Sequence, residues 1–280
     1  MHELVDYNDN QLIVFVFIAN LISTITSLLL LWPELKGFKI NIDKDLLQKM
    51  LAYGIPILVI GFAGMINEVS DKILLKYFLP DKGSAQAQIG IYGANYKLAI
   101  LMTLFIQMFR YAAEPFFFAE SDKKNAKETY SHVMTYFVIF TLIIFLGITL
   151  FMDIFKYFIG PAFWSGLLIV PIILAAKLFL GIFYNLSVWY KLTNKTLYGA
   201  AIAITGAITT ISLNVVLIPK YGFIGSAWAN FFCYLSMMLI SYFWGRKVYK
   251  VNYQISKILI YTVLAGIIYY ISTVLNIGNN

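Results

Sequence analysis

Charge is scarce in this chain. Only 12% of its 280 residues are Asp, Glu, Lys or Arg, against about 25% in soluble domains, while 60% are hydrophobic. So few charges cannot solvate the surface of a compact soluble fold. Cysteine is nearly absent too. Cys233 is the only one and lies inside an apolar run, which rules out an intramolecular disulfide or a cysteine cluster. The two histidines, His2 and His132, are far apart, so no metal site is expected. There is no Gly-rich phosphate loop, no Walker lysine and no HExxH sequence. No catalytic residue, no cofactor and no self-contained ATP motor are therefore expected. No cleavable signal is expected either, because Glu3, Asp6 and Asp9 precede the first apolar run where a signal peptide is basic.

What the chain does have is long apolar runs, at roughly 11–32, 51–78, 90–118, 129–152, 163–190, 197–218, 223–245 and 255–275. Each is long enough to cross a bilayer as a helix. They are continuous and about twice the length of a barrel strand, so only helices can satisfy their backbone groups in lipid. The fold class expected is all-α, a polytopic transmembrane helix bundle of about eight spans.

The net charge of +7 sets orientation instead of marking a nucleic-acid partner, because the basic residues sit in short loops. Alternate loops carry thirteen Lys and Arg against three: Lys36, Lys39, Lys44, Lys49, Lys123, Lys124, Lys127, Lys191, Lys195, Arg246, Lys247, Lys250 and Lys257 on one side, Lys82, Lys156 and Lys220 on the other. The positive-inside rule puts the thirteen in the cytoplasm and both termini outside. In the longest loop, 33–50, Leu46, Leu47, Met50 and Leu51 recur at helical spacing beside Lys44 and Lys49. That pattern predicts a helix in the cytoplasmic interface. Pro56 and Pro171 would bend their spans.

Five basic residues remain within or at the ends of the runs: Lys72, Lys76, Lys97, Arg110 and Lys177. Glu68, Asp71 and Glu114 are there as well. A charge at the bilayer centre costs about 3 kcal/mol even on insertion scales, so it faces a cavity or a partner. Lys177 lies about 20 Å from either end of its run, too deep to snorkel. It either lines a cavity or pairs with an acid on another helix. Lys97 is about 10 Å below the outer end of its run and could snorkel. Arg110 has Glu114 one turn on, at ion-pair spacing. Glu68, Asp71 and Lys72 form either a self-neutralised helix end or acids that couple transport to an ion. Basic residues converging from several helices would make a cationic pocket suited to phosphate. Asn95, Gln107, Asn185, Asn214 and Asn230 add polar groups at membrane depth. The 20 tyrosines fit either a sugar site or interfacial belts.

Three stretches resemble one family. They are Tyr53-Gly54-Ile55-Pro56 running on to Ser70-Asp71-Lys72; Ile91-Tyr92-Gly93-Ala94-Asn95-Tyr96-Lys97-Leu98-Ala99; and Asn214-Val215-Val216-Leu217-Ile218-Pro219-Lys220-Tyr221-Gly222 followed by Ile224-Gly225-Ser226-Ala227-Trp228-Ala229. In that order they resemble the carboxy-terminal half of bacterial polysaccharide (O-antigen, Wzx-type) flippases, in the superfamily that includes the multidrug extruders. The resemblance implies a MATE-like transporter of two six-helix lobes around a cavity. Residues 1–32 would be the last helix of the first lobe and 33–50 the cytoplasmic interlobe linker. Residues 51–245 would be the six-helix second lobe, and 246–280 a cytoplasmic loop with an accessory helix. The rest of the amino-terminal lobe would be missing, and a lone lobe would not transport.

The implied function is flipping of an undecaprenyl-pyrophosphate-linked oligosaccharide across the bacterial inner membrane, with no covalent chemistry. Lys177, Lys97 and Arg110 would hold the anionic headgroup, Glu68 and Asp71 would couple an ion, and Asn95, Gln107 and Asn214 would line the cavity. The partners would be that lipid-linked oligosaccharide, the surrounding membrane lipids and the missing lobe. The alternatives are a cation-coupled multidrug exporter, a membrane polymerase or glycosyltransferase, and a structural subunit. The short outer loops argue against the enzyme.

Overall fold

A computed structural model describes residues 9–35, 43–79 and 82–277. Helices follow one another with no strand among these residues: α1 (Asp9–Leu35), α2 (Lys44–Phe78), α3 (Lys82–Leu98), α4 (Ile100–Glu120), α5 (Ala126–Leu150), α6 (Met152–Phe155), α7 (Val170–Leu186), α8 (Val188–Leu192), α9 (Thr196–Val248) and α10 (Ile255–Ile277). Two 3₁₀ segments, Lys156–Phe158 and Pro161–Ile169, lead into α7.

Six of these helices are long and apolar enough to cross a membrane, and the bent pair α3–α4 makes a seventh. At 1.5 Å per residue, 53-residue α9 would be about 80 Å long, far more than the roughly 30 Å hydrocarbon layer. It is in fact two helices broken at Gly222, whose φ of 57° lies in the left-handed region that favours glycine. Counted that way, the passes are the eight that the apolar runs predict. Ser226 Oγ donates to Asn214 Oδ1 at 2.7 Å across the break, tying the two halves together.

The chain divides into two compact units, Met1–Lys49 and Met50–Asn280. In the first, α1 is apolar along its length, and its Thr24, Thr26 and Ser27 hydroxyls donate to carbonyls one turn back. That satisfies them without water.

The expected interfacial helix is not a separate element. Asp43 Oδ1 caps the backbone N–H groups of Asp45 and Leu46, and α2 then runs unbroken through Gly54 and Pro56 for 35 residues. Residues 36–42 of the linker fall outside the described residues.

The second unit is built around α7. Of its apolar window 61% is buried, against 6% for α10, so α7 is the central helix and α10 a peripheral one. α7 packs chiefly on α9 and also on α5 and α4, while α10 packs on α5. Glycines allow the close crossings. A Cβ on Gly181 of α7 would lie 2.4 Å from the Phe137 ring of α5. The third span bends by 53° between α3 and α4, at Ala99.

Candidate functional site

A cavity of about 410 Å³ opens along α2, α4, α7, α8 and both halves of α9. Its volume falls within the usual range for ligand pockets, roughly 300–1,000 Å³. Glu68, Lys177, Gln107, Arg110 and Lys191 are on its wall.

At mid-depth, Lys177 Nζ donates to both carboxylate oxygens of Glu68, at 2.9 and 2.8 Å. Tyr96 Oη donates to Glu68 Oε1 at 2.6 Å and Tyr234 Oη to Oε2 at 3.2 Å. Each carboxylate oxygen therefore receives two hydrogen bonds, which uses all four lone-pair sites. The Tyr96 and Tyr234 rings flank the ammonium group at 4.9 and 5.7 Å. The Lys177 side chain is only 2% exposed and that of Glu68 is 43% exposed. The acid therefore faces the cavity with the lysine behind it. This knot joins α2, α3, α7 and α9.

One turn along α2, Asp71 is fully buried. Its Oδ2 accepts hydrogen bonds from Tyr92 and Asn230, both at 2.5 Å. Among the described residues Asp71 Oδ1 has no hydrogen-bond partner, and neither do Asn67 Oδ1, Ser70 Oγ and Asn230 Oδ1. The two acid–tyrosine pairs share one register. Glu68 and Asp71 are three residues apart on α2, and Tyr96 and Tyr92 are four apart on α3, both helical neighbour spacings.

Arg110 and Lys191 share Glu114. Arg110 Nε lies 3.3 Å from Glu114 Oε1, and Lys191 is ion-paired to the same oxygen. Arg110 also stacks over the Tyr184 ring at 4.9 Å. Two cations thus meet one carboxylate, leaving a net positive charge at this end.

The structure brings Lys177, Arg110, Gln107 and Glu68 to one cavity. It does not bring the other predicted residues there. Lys97 is exposed and lies off the cavity wall, two residues before the bend at Ala99. Asn95 is buried but stitches backbone, since its Nδ2 donates to the carbonyls of Ile91 and Phe163, both at 2.8 Å. Asn214 bonds to Thr210 and Ser226 at the Gly222 break. Asp71 is sealed within its own cluster. Sequence reasoning does not find Lys191, which it counts among the loop residues, nor Tyr96 and Tyr234 as partners of Glu68. The Tyr92–Tyr96 spacing opposite Glu68–Asp71 was the available signal.

Comparison with protein-family models and with curated proteins finds no match. Among solved structures, the chain is similar to an outward-facing multidrug resistance MATE family transporter of the MOP superfamily, with a TM-score of 0.55 and 16% identity over 72% of this chain. It spans 44% of that transporter's length, less than half. The chain is a multi-pass, all-α membrane protein with the fold of part of a MATE-like transporter.

Proposed function

We propose that this chain is one lobe of a transporter of the MOP superfamily, and that it moves an undecaprenyl-pyrophosphate-linked oligosaccharide across the bacterial inner membrane. The observation that carries this reading is a pair of cations on the wall of a 410 Å³ cavity, Arg110 and Lys191, that share a single carboxylate. A diphosphate supplies the anionic oxygens that this cation pair lacks, and a guanidinium matches phosphate geometry. By the positive-inside orientation, this end faces the cytoplasm, where such a lipid is made, and both termini are periplasmic. Lys177 is the deeper anion seat, and Gln107 offers donors to the sugar. Lys97 is left without a part in binding.

Rocking against a second lobe would expose the headgroup on the far side. Ion coupling falls to Asp71, with an unpartnered carboxylate oxygen, because every acceptor site of Glu68 is taken. The purified chain in lipid nanodiscs, titrated with undecaprenyl pyrophosphate, tests the reading. Saturable binding that weakens about tenfold or more in the R110M/K191M double variant is expected, the loss of one or two charge-assisted contacts. Binding of a lipophilic cation such as ethidium, with none of the anion, would favour a multidrug exporter instead.

A further inference from the structure

The knot at mid-depth has a consequence for selectivity. Lys177 is the deepest cation on the cavity wall, but an anion entering the cavity meets Glu68 first. Both oxygens of Glu68 are already on the ammonium group. A carboxylate tethered to the neighbouring helix has a high effective concentration at that seat. We propose that Glu68 is a tethered competitor for the anion seat of Lys177, so that an anion binds there only by displacing it; this rests on the reading of Lys177 as an anion seat.

Three features support displacement over a permanent structural pair. The Glu68 side chain is 43% exposed, so it has somewhere to go. Gly61 and Gly64, on the same cavity wall of α2, have no heavy atom within 4 Å of where a Cβ would stand, so the space beside Glu68 is open. Lys177 has the Tyr96 and Tyr234 rings around it, which hold an ammonium group in place while its anion is exchanged. The empty cavity thus carries its own counter-anion, and the buried lysine never stands as a bare charge. The competition lowers the affinity of every anion by the fraction of time the seat is open. Only an anion that gains further contacts in the cavity overcomes it, which selects a diphosphate over a simple carboxylate or halide.

The test uses inorganic pyrophosphate and the purified chain in nanodiscs, followed by calorimetry. In E68Q the competitor is gone, and the Kd should fall about tenfold or more, corresponding to a seat open less than about a tenth of the time. Removing a negative charge would also attract anions through space, so Tyr96→Phe is the decisive partner experiment. It leaves every charge in place, keeps the ring against Lys177, and removes one hydrogen bond that holds Glu68 on the seat. Its Kd should fall about threefold to tenfold, the net worth of an ordinary hydrogen bond, since the carboxylate is half-exposed and keeps its other partners. Farnesyl pyrophosphate should show the same factors, because the competition is at the diphosphate. Factors that differ between the two probes would place the gain at the prenyl chain and overturn the proposal.

Two failures are distinguishable. If pyrophosphate binds, is lost in Lys177→Met and is unchanged in both E68Q and Tyr96→Phe, the competition is refuted and the anion seat stands. If neither the wild type nor any variant binds pyrophosphate, the anion seat itself is wrong. Because Tyr96→Phe changes no charge, it decides the matter even if E68Q does not fold.

Discussion

The Glu68–Lys177 pair can be broken from either side, and the two breaks are not equivalent. Glu68→Gln leaves an ammonium group whose side chain is 2% exposed with no opposing charge. The amide still offers one oxygen, but the charge stays buried and uncompensated. Stranding one partner of a buried pair costs about 3–5 kcal/mol, and the remaining oxygen puts this case near the lower end. Lys177→Met strands a carboxylate that is 43% exposed to the cavity and keeps its two tyrosine donors. Its cost is about 1–2 kcal/mol once solvent screening is allowed for. Methionine also fits the apolar packing left by the lysine stem.

At about 2–4 °C per kcal/mol, E68Q should melt several degrees below Lys177→Met. The E68Q/Lys177→Met double variant should recover most of the loss, because removing both charges leaves nothing stranded. Intrinsic-fluorescence melting of the detergent-purified chain reads this directly. A Lys177→Met protein that is equal to or less stable than E68Q would refute the reasoning, since the lysine would then not be the buried member. Pyrophosphate should raise the melting temperature of E68Q more than that of the wild type, because a ligand stabilises the state it binds.

Two further outcomes are expected, one from the packing and one from the charge bias of the loops. Gly166→Ala would set a Cβ 2.3 Å from Asn95 Nδ2 and 2.5 Å from Ile91 Cγ2, breaking the tie between α3 and the 3₁₀ segment before α7. A loss of about 2–4 kcal/mol is expected, against little change for Gly64→Ala, which meets nothing within 4 Å; equal melting temperatures would contradict it. In cells, a membrane-impermeant maleimide should label Asp153→Cys without permeabilisation and Asp122→Cys only after it, with Cys233 buried as a silent background. The reverse pattern would invert the orientation.

The sequence by itself determined the membrane class and where the helical crossings lie; the direction of the loops rests on the positive-inside rule alone. The physical reason is that lipid leaves few choices: a backbone in hydrocarbon must be helical, and a run of about 20 apolar residues is a crossing wherever it packs. It also exposed Lys177 as anomalous, because a charge that deep needs a partner or a cavity. Spacing along one helix found Glu114 for Arg110, since such pairs are local.

Only the tertiary structure decided which charges meet. Glu68 and Lys177 are 109 residues apart, and Lys191 and Glu114 are 77 apart, so no periodicity links them. Asn95 and Asn214 read as cavity residues because polar groups at membrane depth invite that reading, yet the Asn95 amide nitrogen is taken by two backbone carbonyls and Asn214 by Thr210 and Ser226. The bend at Ala99, the break at Gly222 and the close approach at Gly181 set which faces of α2, α4, α7 and α9 look at one another. Of the five basic residues within the apolar runs, that choice of faces puts Lys177 and Arg110 on the cavity wall beside Lys191 and leaves Lys72, Lys76 and Lys97 off it.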